Sequence, residues 1–190
     1  KENGQLRKYD IVVANPPFSQ NYSTAKMEFK ERFQNWTSQK KQADFMFVQH
    51  MIAVLKDNGR MAVVMPQGVL FRGNEEGRIR EKLVKSDLVE AVVTLGDKLF
   101  YGTPLSPCFL ILRRLKPAAH SARVLMIDGT KILTVKRAQN ILSPEDVNRL
   151  YELYTNYEDV EDFSKVVTLD DIAAKDYDLS PNKYVEYHKE

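Results

Sequence analysis

Four short apolar runs punctuate the chain, each bounded by turn-forming or charged residues. They are Tyr9-Asp10-Ile11-Val12-Val13-Ala14, Arg60-Met61-Ala62-Val63-Val64-Met65, Leu88-Val89-Glu90-Ala91-Val92-Val93 and Cys108-Phe109-Leu110-Ile111-Leu112. Such runs match strands buried on both faces, as a largely parallel sheet requires. Between the first two, Phe45, Val48, Ile52 and Leu55 recur at helical spacing. They predict a helix over 43–56, stopped by Asn58-Gly59. Ile79 and Leu83, one turn apart, predict a second helix over 75–85. The order β-α-β-α-β calls for right-handed parallel crossovers. The fourth run comes too soon after the third for a crossover helix, so it should return antiparallel. Arg123-Val124-Leu125-Met126-Ile127-Asp128 is expected as a further strand at an edge. Ser143-Pro144-Glu145-Asp146 opens a helix running to about Tyr157, with Pro in its first turn and acids at its positive end. The remaining C-terminal stretch, through Leu169-Asp170-Asp171-Ile172 and Ser180-Pro181-Asn182-Lys183-Tyr184, is expected as a short helix and loose ends. The pattern therefore defines an α/β protein: a partial doubly wound, Rossmann-like sheet, mostly parallel with one antiparallel strand, plus a small C-terminal extension. Residues 1–117 are expected to form the sheet domain. Residues 118–190 are expected to add an edge strand and an acidic helical extension.

Composition narrows the class. At 190 residues the chain has material for one well-filled core, and 43% hydrophobic with 28% charged residues is ordinary for a soluble domain. No apolar run approaches membrane-span length, no signal-peptide pattern opens the chain, and one cysteine excludes an internal disulfide. A reducing cytoplasm is the expected compartment. The net charge of +2 hides an asymmetry. Residues 1–143 carry 23 Lys/Arg against 13 Asp/Glu, whereas 144–190 carry 5 against 13. A basic body attracts a phosphate backbone and an acidic segment repels it. The chain opens at Lys1 almost on top of a strand, which suggests a piece of a longer polypeptide.

The chemistry concentrates where the first strand ends, at Asn15-Pro16-Pro17-Phe18. Two prolines hold φ at about −65° and remove two N–H donors, leaving a stiff turn rich in carbonyl acceptors. The Asn15 side-chain oxygen and the Pro16 carbonyl can accept the two hydrogens of an exocyclic amino group. Phe18 can stack on the flat ring that carries it. Strand ends of open α/β sheets are where ligands bind. The polar segment 19–42 comes next, with five Lys/Arg, two Glu and Trp36. Its Lys40 and Lys41, and Arg72 beyond the second strand, are candidate phosphate contacts. Arg78 and Arg80 are expected as surface charges paired with Glu75 and Glu76. Asp44 can reach the turn, although its place at a helix start explains it equally well.

Taken together, these blocks resemble the modification subunit of type I restriction-modification systems, an N6-adenine DNA methylase family. The matching stretches are Tyr9 to Ser19, Gln49-His50-Met51-Ile52, Asn58 to Gly73, Glu76 to Arg80, Phe100-Tyr101-Gly102-Thr103 and Asp176 to Ser180. The resemblance covers nearly the whole chain. It implies a methyltransferase sheet, S-adenosylmethionine as methyl donor, and adenine N6 in DNA as target. The implied partners are DNA, a specificity subunit and a restriction subunit, with no membrane. Carried over residue by residue, it assigns Asn15, Pro16, Pro17 and Phe18 to catalysis, with Asn15 also on the cofactor side.

Such sheets also need a glycine-rich turn for close approach to the cofactor. The eight glycines here (4, 59, 68, 73, 77, 96, 102, 129) contain no G-x-G. The methyl-donor half is therefore expected outside this chain, and the fragment is expected to be inactive alone. A protein glutamine-N5 methyltransferase, which uses a similar turn on a side-chain amide, is an alternative; so is a non-catalytic DNA-contact or assembly fragment. Pro107-Cys108 spells the nucleophile dipeptide of cytosine-C5 methyltransferases. Cys108, however, leads into an apolar strand that would suppress its thiolate, and it is expected in the core. The three histidines (50, 120, 188) show no metal-ligand spacing, so no metal site is expected.

Overall fold

A computed structural model describes residues 4–23, 25–33, 42–100 and 105–188. Lys40, Lys41, Trp36 and the Tyr101-Gly102-Thr103 block lie outside the described residues. In chain order the elements are β1 (Tyr9–Ala14), α1 (Asp44–Ala53), β2 (Leu55–Pro66), α2 (Asn74–Lys85), β3 (Val89–Leu95), β4 (Pro107–Arg113), β5 (Arg123–Gly129), α3 (Pro144–Asn156), β6 (Ser164–Thr168) and α4 (Leu169–Ala173). The six strands form one sheet in the order β1-β2-β4-β3-β5-β6. β1 pairs with β2, and β3 with β5, in parallel. β4 runs antiparallel between β2 and β3, as expected from its short connection. The fold is thus the expected α/β arrangement, with four strands pointing one way.

Alternation across this sheet separates two cores. Met61, Val63, Met65, Val92, Leu110 and Met126 face α1 and α2, together with Phe45, Val48, Ile79 and Leu83. Ala91, Val93, Leu125 and Ile127 face the other way, onto Leu150 and Leu153 of α3. Each fully buried Leu, Ile, Val or Met in these layers stabilises the fold by about 1.5–3 kcal/mol. α3 starts as its sequence specifies. Ser143 Oγ accepts from Asp146 N at 3.2 Å, and Asp146 Oδ2 accepts from Ser143 N at 2.8 Å, a reciprocal capping box.

Four expectations are corrected. Strand 123–128 is not an edge: β5 lies between β3 and β6 and is buried from Val124 onward. The edge is β6, a second antiparallel strand in a stretch expected to be loose ends. It has only five residues, Ser164-Lys165-Val166-Val167-Thr168, too few to show a clear alternation. α1 ends at Ala53 rather than near 56, and Asn58-Gly59 falls inside β2. There the register jumps from Tyr9↔Leu55 to Ile11↔Arg60, so the stop signal lies in an irregular stretch of the pairing with three extra residues on β2. A Cβ at Gly59 would lie 3.0 Å from the Lys56 carbonyl oxygen, which is why this bend takes glycine. Lastly, β1 is not buried on both faces. Tyr9, Ile11 and Val13 are 43%, 58% and 71% exposed, leaving an apolar edge uncovered.

Candidate functional site

All four parallel strands end on one edge of the sheet, and the Asn15–Phe18 turn leaves that edge from β1. Asn15 and Pro17 are exposed, Pro16 is buried and Phe18 is half-buried. Phe18 meets Phe100 edge-on, with ring centroids 6.1 Å apart and planes at 79°. That contact, not expected from the sequence, helps to steady the ring. The next residue, Ser19, is left-handed at φ 52°. For a non-glycine residue this costs about 1–3 kcal/mol unless its surroundings impose it.

Asp44 imposes it. This first residue of α1 is 1% exposed, and its Oδ1 accepts the Ser19 N–H at 2.7 Å. Its Oδ2 accepts from the Ser19 hydroxyl at 3.3 Å and lies 3.7 Å from Arg72 Nη1. The residue before it, Ala43, supplies no side-chain cap to α1. Arg72 also pairs with Glu76 at 3.5 Å, and its guanidinium folds over Gly68, where a Cβ would sit 2.4 Å from Nη2. Burial pushes the Glu76 carboxyl above its ordinary value; the Asp44 charge adds to this, while Arg72 and Arg80 oppose it. Three elements, the β1 turn, the start of α1 and the exit of β2, thus converge on one buried carboxylate. Asp44 stands at the helix start, and its side chain meets the turn, through Ser19, and Arg72.

Arg72 therefore reaches the same sheet edge as Asn15, with its side chain 37% exposed. Arg78 is exposed as expected, but Arg80 is not a surface charge. It is 3% exposed and donates to the carbonyls of Val69 (3.0 Å), Arg72 (2.6 Å) and Tyr177 (3.0 Å). Burial lowers its pKa, with Asp178 and Glu76 opposing. The expected surface position fails because the C-terminal segment that covers Arg80 is distant in sequence. Cys108 is fully buried, and burial raises its thiol far above the ordinary range, so it offers no nucleophile. His50 Nδ1 lies 2.7 Å from Arg32 Nη1; burial and that charge hold its pKa down. Among the described residues no group of His, Cys, Asp or Glu could hold a metal ion, and no helix is long and apolar enough to cross a membrane.

Further along the same edge, a concavity of about 490 Å³ opens at the ends of β2, β3 and β5, lined among others by Gln67, Phe71, Thr94, Asp128 and Lys183. Its carboxylates are already committed. Asp128 accepts from Thr130 Oγ1 at 2.6 Å and from the Tyr187 hydroxyl at 2.5 Å, and Asp178 pairs with Lys183 at 2.5 Å.

The mostly parallel, Rossmann-like sheet carrying the antiparallel strands β4 and β6 is the α/β class of fold that comparison with solved structures also finds. The family is defined by sequence. The profile described as N-6 DNA Methylase matches residues 1–190, and the chain belongs to that family. It is 35% identical over 187 residues to the type I restriction enzyme MjaVIII methylase subunit of Methanocaldococcus jannaschii, covering 94% of this chain and 32% of that protein. It is 32% identical over 188 residues to the HindI methylase subunit of Haemophilus influenzae, covering 94% of this chain and 42% of that protein. Among solved structures, the type I restriction-modification methyltransferase subunit from Streptococcus thermophilus superposes with a TM-score of 0.87 at 31% identity. That match covers 97% of this chain and 40% of the other. The chain thus spans about a third of the length of the MjaVIII relative it matches.

Proposed function

We propose that this chain is the base-holding part of a type I restriction-modification methylase subunit that methylates adenine N6 in DNA. The observation that carries this reading is the Asn15-Pro16-Pro17-Phe18 turn, set at the ligand edge of the sheet and anchored from behind by Asp44. An aromatic amine is a weak nucleophile because its lone pair is delocalised into the ring. Asn15 Oδ1 and the Pro16 carbonyl accept its two hydrogens and hold the nitrogen so that the lone pair points out of the ring plane. This is catalysis by orientation and charge stabilisation. Phe18 stacks on the extruded adenine and lowers the cost of keeping it out of the duplex. Arg72, with Lys40 and Lys41, contacts the phosphate backbone.

S-adenosylmethionine supplies the electrophilic methyl group. The sequence contains no G-x-G turn to cradle it, and this reading assigns only Asn15 to the cofactor side of the site. The uncovered apolar edge of β1 supports a methyl-donor half that packs there and belongs to the longer subunit. The specificity and restriction subunits of such a complex are the partners this reading assigns, in the cytoplasm of a bacterium or archaeon.

The test is Asn15→Ala in the full-length subunit. It should abolish methylation of DNA while leaving assembly with the specificity subunit intact; retained methylation refutes the reading. Separately, titration of the 190-residue chain with S-adenosylmethionine should show no micromolar binding. Tight binding would overturn the assignment of the donor half to other residues.

A further inference from the structure

We infer that Asp44 is a positioning residue for methyl transfer: its carboxylate clasps the base-holding turn to α1 and Arg72 and so sets where the target amino group is held. This rests on the reading of Asn15–Phe18 as the base-holding site.

A carboxylate that is 1% exposed persists only if its lone pairs are met, and here they are met by the turn and Arg72. At the first turn of a helix whose preceding residue caps nothing, an aspartate would ordinarily fold back onto the helix's own amides. Asp44 instead reaches Ser19, 25 positions earlier in the chain. The reason lies in the turn. Pro16 and Pro17 have no N–H, so the turn lacks the donors that would normally tie it down. The Ser19 N–H, two residues after the second proline, is what Asp44 grips, and in doing so it holds Ser19 at φ 52°. Released, Ser19 would relax to negative φ and swing the peptide after Phe18. The stacking ring and the two acceptors would then lose their mutual register.

Arg72 completes the clasp. Its guanidinium occupies the space over Gly68 that a Cβ would fill, which keeps it against Asp44 Oδ2. Asp44 itself touches none of the reacting atoms in this arrangement; it acts through Ser19.

The experiment uses the full-length methylase assembled with its specificity subunit, in four variants. Asp44→Asn keeps an acceptor for the Ser19 N–H but loses the charge that faces Arg72; kcat should fall about tenfold. Asp44→Ala loses both and should fall about a hundredfold, as an ångström-scale misplacement does. Gly68→Ala displaces only the far end of Arg72 and should reproduce part of the Asp44→Asn loss. Asn15→Ala serves as the inactive reference. In the two Asp44 variants, KM for DNA and for S-adenosylmethionine should stay within about twofold of wild type, the signature of an effect on orientation, whereas Gly68→Ala moves the Arg72 phosphate contact and is read by kcat alone. With 2-aminopurine at the target position, the fluorescence gained on extrusion should be retained and its quenching by stacking reduced.

If Asp44→Asn and Asp44→Ala both keep wild-type kcat while Asn15→Ala is inactive, the inference about Asp44 fails and the site stands. An active Asn15→Ala overturns the site itself. A loss confined to KM for DNA assigns Asp44 to DNA binding and also overturns positioning. Should Asp44→Ala lose cooperative melting, Asp44→Asn and Gly68→Ala decide: unchanged kcat in both refutes the clasp.

Discussion

Replacing Arg80 with Met tests how the C-terminal segment holds the edge of the site. Arg80 donates to Val69 O, Arg72 O and Tyr177 O, joining α2 to the exit of β2 and to the residues after α4. Met fills much of the side-chain volume but returns no donor, so three carbonyls lose their partner. At the lower end of the desolvation cost, about 1 kcal/mol each, the loss is about 3 kcal/mol. Some is recovered, because desolvation already penalises the buried guanidinium, as its lowered pKa shows. The net cost is about 2–3 kcal/mol, or roughly 4–12 °C in Tm for a chain of this size. Urea unfolding monitored by far-UV circular dichroism measures it, with exposed Arg78→Met as control. A loss below about 1 kcal/mol, or one equal to that of Arg78→Met, would refute the argument that Arg80 staples three segments. Because the Arg72 carbonyl is one acceptor, Arg80→Met should also weaken DNA binding by the full-length subunit.

Glu90→Ala leaves Arg113 without its partner at 3.0 Å and strips Tyr154 of its acceptor; about 3 kcal/mol should be lost, the low end for a broken buried pair because Arg113 is 22% exposed. Gly129→Ala drives a Cβ to 2.7 Å from the Thr94 carbonyl oxygen and 2.8 Å from Leu150, so thermal melting should report about 1–3 kcal/mol of overpacking. A melting curve matching wild type would show that β3, β5 and α3 can yield there. Acid should loosen the C-terminal segment. Burial pushes the Asp128 and Asp178 carboxyls up, yet Thr130, Tyr187 and Thr94 on the first, and Lys183 and Ser180 on the second, together hold both below the ordinary 3.8. Their contribution is therefore fully present above that value and lost as pH falls through the lower folded values. Urea midpoints measured from pH 6 to 3 should drop at the acid end, and the Asp128→Asn/Asp178→Asn protein should be less stable at neutral pH with a flatter acid limb; an unchanged limb would contradict this.

How much of the fold the sequence makes legible depends on how local each signal is. The runs ending in Ala14, Met65, Val93 and Leu112 are legible because each strand's apolar content is contiguous, and the antiparallel return of β4 is implied by a short connection. The Asn15–Phe18 turn is legible because proline and asparagine act on their own backbone. Arg80, β6 and the position of β5 are not, since all three depend on partners far along the chain. Arg80 is fixed by Tyr177, 97 positions away. β6 exists because β5 offers it an edge, a fact no five-residue window contains. Asp44 lies between these cases: its helix-start position is visible, and its grip on Ser19 depends on a loop path that no periodicity reports.

The charge asymmetry changes meaning once the acids of 144–190 are located. Asp146 and Asp171 are capping residues, Asp178 is paired with Lys183, and Asp159 and Glu186 both hold Lys165. Five of the thirteen acids thus serve helix starts and ion pairs with lysines already in the balance, so they have local structural roles while the net excess of eight remains. Its location matters more than its size. β6 is the edge opposite β1, and five strand spacings of about 4.8 Å set it roughly 24 Å from the Asn15 strand, well beyond a Debye length at physiological salt. Under the proposed reading, acid on that edge is screened from DNA held at Asn15, and Asp178, which lies on the Asn15 edge, is paired with Lys183, so steering near the turn falls to the basic residues close by, Arg72 foremost. Neutralising Arg72 should accordingly lower the salt sensitivity of DNA binding by the full-length subunit, whereas neutralising the exposed Glu186 on the far edge should leave it unchanged.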